Sequence, residues 1–526
     1  MPLTIKPTTI KPATIEPDNF AHSFSKARAI KRHHHFYLWP TNSGKTYHAL
    51  NTLIAAKSGV YLAPLRLLAM EVRDKLMAAG VPCNLITGEE RDIMVGAQHT
   101  ASTIEMMNPS KQMDVAIIDE IQMLQDPDRG SAWTAALVGV PARQVFVCGA
   151  NSVTTACLQV LEYLNETYEI TQLQRMTPLV FEEASLCGKR YSKPKLKNQL
   201  QKGDAFIAFS RKDVLTLSAR FRQWGYSVAS IYGALSPEVR RHESERFCNG
   251  SADILVATDA IGMGLNLPIR RVVFTAIHKF DGVASRPLNA TEVRQIAGRA
   301  GRFGIYETGF VNVLEDDERM HIEHMLATDD TVDLNKLPIA AKFSEIAAIS
   351  QKLHTNKLSE CLEYFAHRLR FEHSLFELSN VDAHYSQALL VDEFAPNMAL
   401  QDKFIFACAP ISINVNIEKD YFLMCLQSAY LLAPRALPST PVWLESNNPK
   451  HAHPKHVNSK YLETAEHLSQ NLSLYAWLSY KFPQVFVDGD KVNILRQMIS
   501  CYITCALLAQ AGYGQTAREV DLNYKN

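Results

Sequence analysis

The chain has no excess of charge of either sign and no long apolar run. Its 526 residues carry 54 Lys plus Arg against 54 Asp plus Glu, a formal net charge of zero. That excludes a bulk polycation that would hold nucleic acid by charge alone. No stretch reaches about 18 uninterrupted apolar residues, so a membrane-spanning helix is not expected, and we expect a soluble protein with no membrane partner. The 10 cysteines are scattered without a CxxC pair, which argues against a disulfide framework or a zinc ribbon and fits a reducing, intracellular compartment. Neither Gly (23) nor Pro (24) dominates, and 47% of residues are hydrophobic, so collagen-like, low-complexity and wholly disordered classes are excluded. Length alone predicts roughly three or four domains of common size.

Residues 1–35 read as a disordered leader. Thr4-Ile5-Lys6-Pro7, Thr9-Ile10-Lys11-Pro12 and Thr14-Ile15-Glu16-Pro17 repeat a pattern whose prolines block helix and sheet alike. The segment has neither the apolar core of a signal peptide nor the arginines of a transit peptide. From Phe36 onward, short apolar runs (Phe36–Leu38, Val60–Leu62, Val115–Ile118, Gln144–Val147) alternate with helix-like stretches, the signature of βαβ units on a parallel sheet. The pattern restarts after Thr177-Pro178 with Ala205–Phe209, Ile254–Ala257 and Arg271–Phe274. Residues 36–175 and 176–342 are therefore expected to be tandem α/β domains. Apolar residues beyond them recur at helical spacing, so 343–526 is expected to be a mainly α-helical C-terminal region.

Three blocks carry chemistry. Trp39-Pro40-Thr41-Asn42-Ser43-Gly44-Lys45-Thr46 follows the first strand and ends as a phosphate loop does: backbone N–H groups cradle phosphates, Lys45 reaches the β/γ-phosphates and Thr46 holds Mg²⁺. The full pattern places Gly where Trp39 stands, and a bare Gly-Lys-Thr after a strand is as readily a simple turn. Asp119 and Glu120 end the apolar run 115–118. There Asp119 can organise Mg²⁺ through its water shell and Glu120 can take a proton from attacking water. Taken alone, such a pair is more often a solvated turn; its position downstream of a phosphate loop favours the chemical reading. Gln295, Arg299 and Arg302 follow at i, i+4 and i+7, which predicts one face of a helix. Two glycines inside that helix would cost roughly 1 kcal/mol each, which points to close approach of a ligand or of backbone. Arg299 and Arg302 are the candidate arginine fingers.

In that order, these blocks resemble a superfamily 2 DExH-type helicase. The intervening residues Ala63-Pro64-Leu65-Arg66, Thr87-Gly88-Glu89-Glu90-Arg91, Asp119-Glu120-Ile121-Gln122 and Ala257-Thr258-Asp259-Ala260-Ile261-Gly262, with Phe406–Ile411 and Leu474–Pro483 further on, narrow the likeness to the ATP-dependent RNA helicase of the mitochondrial degradosome and its bacterial relatives. The resemblance implies two RecA-like domains that use ATP and Mg²⁺, move 3′ to 5′ on single strands and unwind RNA, and also DNA or hybrid, duplexes. It implies nucleotide contacts from Thr41, Asn42, Ser43, Gly44, Lys45, Thr46, Asp259 and Gly262. It implies strand contacts from Pro64, Arg66, Thr87, Gly88, Ser210, Arg211 and Thr258, groups that bind phosphate without reading sequence. By the same analogy an exoribonuclease is a partner.

Trp39 leaves an alternative open, a nucleotide-switched nucleic-acid clamp with weak ATPase. A small-molecule kinase would leave the second α/β domain unexplained. Because the motor begins within about 36 residues, a bacterial or other cytoplasmic location is expected in preference to the mitochondrial matrix. His33-His34-His35 and the set His451, His453 and His456 are assigned no function, and Cys501 and Cys505 are read as core residues.

Overall fold

The computed structural model describes residues 20, 24–38, 45–88, 90–171, 175–233, 235–262, 267–280, 285–328, 334–368, 375–379, 382–411, 413, 415–439 and 459–510. The first sheet is built from β1 (His33–Leu38), β2 (Gly59–Ala63), β3 (Cys83–Ile86), β4 (Arg91–Asp92), β5 (His99–Thr103), β6 (Met113–Ile118), β7 (Ala142–Gly149) and β8 (Thr167–Thr171). Its order is β4-β3-β5-β2-β6-β7-β1-β8, parallel throughout except for the β3–β4 pair. β2 is buried along its whole length, as befits an apolar run with helices on both sides. β1 alternates half-buried and buried side chains, because only one of its faces meets the main core.

The second sheet uses β9 (Leu179–Phe181), β10 (Asp204–Ile207), β11 (Val228–Ile231), β12 (Ile254–Ala257) and β13 (Arg271–Phe274). A small antiparallel ladder of β14 (His278–Phe280) and β15 (Ser285–Pro287) then precedes β16 (Gly309–Val313). The order β11-β12-β10-β13-β16-β9 is wholly parallel. Parallel strands require crossovers, so the loops that leave their carboxyl ends gather along one edge of each sheet, where ligands bind in such folds.

Part of the stretch expected to be leader belongs to the first domain. Phe20, Phe24 and Ala27 are buried in its core, Ser25–Arg28 is helical, and the three histidines form the first half of β1. Phe20 packs edge-on against Phe24, with ring centroids 5.5 Å apart, and against Phe376 at 5.2 Å. Apolar rings between the prolines and the strand are what dock this segment. The proline repeat lies outside the described residues.

Phe376 belongs to a second short parallel ladder, β17 (Leu337–Ile339) with β18 (Phe376–Leu378), which joins the same core. The remaining C-terminal elements are helices, the longest being Ser459–Lys481 and Gly489–Gln510. Leu462, Ala465, Leu468, Leu495 and Ile499 of these two helices enter the second domain's core beside Val214 and Phe221. Further along, Leu474, Tyr475, Leu478 and Val492 close a separate core with Phe406 and Phe422. The C-terminal region is thus anchored to the second sheet through the same pair of helices that builds its own interior. Among the described residues no helix is long and apolar enough to cross a membrane.

Candidate functional site

At the carboxyl end of β6, Asp119 and Glu120 are 3% and 7% exposed. Glu120 has φ 52°, a left-handed conformation that an L residue keeps only when its surroundings fix it. One Asp119 oxygen accepts the Tyr61 hydroxyl from β2, the other accepts the Glu120 N–H at 3.0 Å, and the Asp119 carbonyl accepts the Trp133 indole N–H at 2.9 Å. The Glu120 carboxylate accepts the Gln122 amide, whose own oxygen accepts the Ala150 N–H at 3.0 Å. Gly149 makes this possible, since a Cβ there would lie 2.7 Å from the Ile121 nitrogen and its side chain. Burial, reinforced by Asp119, pushes the Tyr61 phenol far up, so it remains a donor.

The second domain faces this pair. Helix Ala290–Ala297 starts with a capping box between Asn289 and Glu292. It stops before the arginines, which corrects the expectation that Gln295, Arg299 and Arg302 share a helical face. Gly298 is the C-cap, Ala300 bridges Ile269, and Gly301 has φ +75° with no room for a Cβ beside Gly309. The two glycines end the helix instead of straining it. Gln295 remains on the helix and packs on Gly262, where a Cβ would lie 3.6 Å from the Gln295 Cγ and Cδ. Arg299 donates to the Gly262 carbonyl, and its guanidinium stands 3.8 Å from a Glu120 oxygen. Burial raises the Glu71 carboxyl of helix Arg66–Ala78, while Lys75, Arg241, Arg299 and Arg302 pull it the other way. Arg299 and Arg302 therefore both reach toward the first domain.

Lys279 completes the second edge, bonded to Asp259 at 2.8 Å and Glu292 at 2.9 Å. Arg286 holds both Glu292 oxygens at 2.9 Å. A cavity of about 560 Å³ lies between Asp126 and Pro127 of the first domain and Phe209, Asp259, Lys279, Phe280 and Arg286 of the second. Asp119 and Glu120 offer carboxylate oxygen, the donor Mg²⁺ takes, and Arg299 offers the opposite charge that a phosphate requires. ATP and Mg²⁺ thus fit the donor set. Lys45 and Thr46 open helix Lys45–Ala55 directly after β1. Their side chains, with Trp39, Thr41, Asn42, Ser43 and Gly44, lie outside the described residues.

The residues expected to touch a strand follow the carboxyl ends of β2 (Pro64, Arg66), β3 (Thr87, Gly88), β10 (Ser210, Arg211) and β12 (Thr258). The Pro64 carbonyl accepts Arg129 at 2.6 Å. Arg66 bonds Glu90 at 2.8 Å and Glu238, across the domains, at 3.1 Å. Thr87 and Thr258 are buried, and Ser210 caps the helix that Arg211 begins. Arg211 bonds Glu466 of helix Ser459–Lys481 at 2.9 Å, while Trp477 of that helix lies over Gly88.

Sequence comparison decides what this arrangement belongs to. Residues 20–173 match the DEXQ-box helicase domain of Suv3, 192–304 the helicase conserved C-terminal domain, and 462–508 the C-terminal domain of ATP-dependent RNA helicase SUV3. The mitochondrial ATP-dependent RNA helicase SUV3 of Oryza sativa is 32% identical over 502 residues, 94% of this chain and 83% of that protein. This chain belongs to the SUV3 family of DExH helicases. The mitochondrial DExH18 helicase of Arabidopsis thaliana is 36% identical over 91% of this chain, which spans 59% of that longer relative. The SUV3 fold here is two RecA-like parallel-sheet domains followed by a mainly helical region. Saccharomyces cerevisiae Dbp5 bound to RNA and ADP BeF3 is a more remote likeness, with 15% identity, 60% of this chain and 88% of that chain covered, and a TM-score of 0.44.

The expectation of a bacterial or other cytoplasmic location is overturned, because these SUV3 relatives are named as mitochondrial. It rested on how early the motor begins, and a starting position carries no address. Sequence reasoning also missed Tyr61, Gln122, Trp133 and Gly149, the supports of the carboxylate pair. A tyrosine within the otherwise apolar β2, Gly59-Val60-Tyr61-Leu62-Ala63, was the available signal, since a buried hydroxyl needs a partner.

Proposed function

We propose that this SUV3-family chain couples ATP hydrolysis to 3′-to-5′ movement on a nucleic-acid strand and unwinds RNA duplexes, and DNA or hybrid duplexes too. The observation that carries the reading is Arg299 of one domain at 3.8 Å from Glu120 of the other. A site completed only when two domains meet suits a motor that opens and closes once per nucleotide. In this reading Lys45, with Thr41, Asn42, Ser43, Gly44 and Thr46, binds the phosphates, and Asp259 and Gly262 contact the nucleotide from the second domain. Glu120 takes the proton of the attacking water, while Gln295, Arg299 and Arg302 stabilise charge on the transferred group. Thr46 and Asp119 would hold Mg²⁺, which would supply charge neutralisation on the phosphates.

Pro64, Arg66, Thr87, Gly88, Ser210, Arg211 and Thr258 track the strand backbone along the two sheet edges. The domains are taken as 20–175, the first core having taken in Phe20, Phe24 and β1, then 176–342 and 343–526. By likeness to the named relatives the compartment is mitochondrial, and by family analogy an exoribonuclease consumes the released strand. Turnover of ATP with single-stranded RNA is the first test, with Glu120→Gln expected to lower it about 100-fold or more. Strand displacement on matched RNA, DNA and hybrid duplexes should then require a 3′ overhang. No ATP turnover, or displacement from 5′ overhangs alone, sinks the proposal.

A further inference from the structure

The second histidine face of β1 lies apart from the cleft and is used by nothing described above. His33 and His35 alternate along the strand, so both side chains leave the same face, while His34 points into the core. The neighbouring edge strand β8 is in register, with His33 opposite Thr167 and His35 opposite Glu169. One His33 ring nitrogen, Nδ1, meets the Thr167 hydroxyl at 2.8 Å, which leaves Nε2 turned toward Glu169 at 4.0 Å. His35 Nδ1 lies 2.6 Å from the other Glu169 oxygen. The two imidazole centroids are 4.7 Å apart, and His35 is stacked flat on Phe146 of β7, at 4.5 Å and 11°.

His33, His35 and Glu169 thus converge from two paired strands. One ligand atom from each of His33, His35 and Glu169 falls within 4.8 Å of the other two; a tetrahedral ion with bonds of about 2.0–2.2 Å sets its ligand atoms about 3.4 Å apart, so the wider pairs close and the His35–Glu169 pair, now at 2.6 Å, opens around it. The Thr167 hydroxyl, whose own proton goes to the Arg32 carbonyl at 3.4 Å, is placed to accept from His33 Nδ1 and so leave Nε2 as the ligand nitrogen, a support that metal-binding histidines regularly have. Phe146 restrains the His35 ring. Glu169 is 56% exposed at its side chain, so a fourth position opens to solvent, and the carboxylate can move to accommodate the ion.

We propose that His33, His35 and Glu169 form a binding site for one divalent transition-metal ion, Zn²⁺ foremost. Two imidazoles and a carboxylate select borderline metals such as Zn²⁺, Co²⁺ and Ni²⁺ over Mg²⁺, which takes oxygen and keeps its water. The site is therefore distinct in chemistry from the Mg²⁺ expected in the cleft. Bound metal clasps β1 to the edge strand β8, and β1 is the strand that runs into the phosphate-loop segment.

Calorimetric titration of the full chain with Zn²⁺, in buffer holding excess Mg²⁺, tests this without reference to ATP turnover. One Zn²⁺ per chain is expected, and Co²⁺ at the same site should show the intense visible absorption of a low-coordinate ion. His33→Ala and Glu169→Gln should each abolish the isotherm, and Thr167→Val should weaken it about tenfold or more. Joint His451→Ala, His453→Ala and His456→Ala replacement should leave it intact. Glu169→Gln keeps the shape of an exposed side chain, so its loss of binding cannot be put down to misfolding, and its thermal midpoint should no longer rise with added Zn²⁺. Absence of Zn²⁺ binding, binding that survives both His33→Ala and Glu169→Gln, or binding lost in the triple variant overturns the proposal.

Discussion

The two sheet edges that meet at the cleft hold their polar groups in opposite ways. On the first, Asp119 and Glu120 are buried and fixed by neighbours of their own domain, namely Tyr61, Trp133 and Gln122. On the second, Lys279 sits between Asp259 and Glu292 with side chains 20%, 40% and 18% exposed, and Arg299 reaches out to the other domain. Buried hydrogen bonds inside one domain are costly to break, whereas ion pairs open to water exchange partners at little cost. The first edge is held rigidly by its own domain; the second carries ion pairs that can exchange partners.

The contrast breaks most sharply at Arg299. If Arg299 acts only when the domains meet, Arg299→Ala should lower RNA-stimulated kcat on the order of 1000-fold and leave the thermal midpoint where it was. A loss of turnover below tenfold, or a large drop in melting temperature, would make Arg299 a structural residue of the second domain and erase the distinction.

Acid should separate the halves next. His34 is buried in the first domain, 2.7 Å from Glu166, and burial holds its imidazole down to about 4. Between the ordinary value near 6.5 and that lowered value, the unfolded chain binds a proton that the folded one refuses. Stability is therefore full above about pH 6.5 and is lost as pH falls toward 4, by up to about 3 kcal/mol. Glu318, beside the second sheet, has the opposite sign. Burial pushes it up to about 7, so its contribution is full below the ordinary carboxylate value and lost as pH rises through 7. Hydrogen exchange at pH 5 and pH 7 should show β1 and β8 losing protection in acid while β16 does not. Equal loss in both sheets would remove the electrostatic side of the comparison.

Tyr61→Phe probes the fixed edge directly. It removes the hydroxyl that donates to a buried carboxylate oxygen of Asp119, which should cost about 2 kcal/mol in urea unfolding with nucleotide affinity falling alongside. The equivalent loss on the other edge, Lys279→Met, should change stability by less than about 1 kcal/mol. Similar costs for the two would show that the edges are equally fixed.

What was legible beforehand follows the same division. Local apolar runs sufficed for β2, β6, β7, β12 and β13, and the carboxylate pair was legible because Asp119 and Glu120 follow directly on one of those runs. The supports were not. Gln122 bonds Ala150 only because Gly149 has no side chain, a fact of the turn after β6 meeting the end of β7 that neither segment carries alone. Arg299 and Arg302 were placed on a helix because their spacing permits it, whereas Gly298 and Gly301 end that helix and take the arginines off its face. Even β1 was cut short, because three histidines read as a polar approach to a strand when in fact they alternate within it.

The smallest effect tests whether partner exchange extends beyond the cleft to the edge proposed to meet the strand. Arg211 is held at 2.9 Å by Glu466, which also accepts the Tyr232 hydroxyl at 2.7 Å, and burial raises the Glu466 carboxyl. If Arg211 meets the strand backbone, as proposed, this C-terminal carboxylate competes with phosphate for it. Glu466→Gln keeps an acceptor for Tyr232 and removes the competing charge, so RNA should bind tighter by no more than roughly fivefold. The plot of log affinity against log salt should steepen by about one unit or less, the signature of one more cation given to phosphate. An unchanged slope would mean that Arg211 stays with Glu466 when RNA is bound, and that the exchangeable character of the second domain is confined to the side facing the nucleotide.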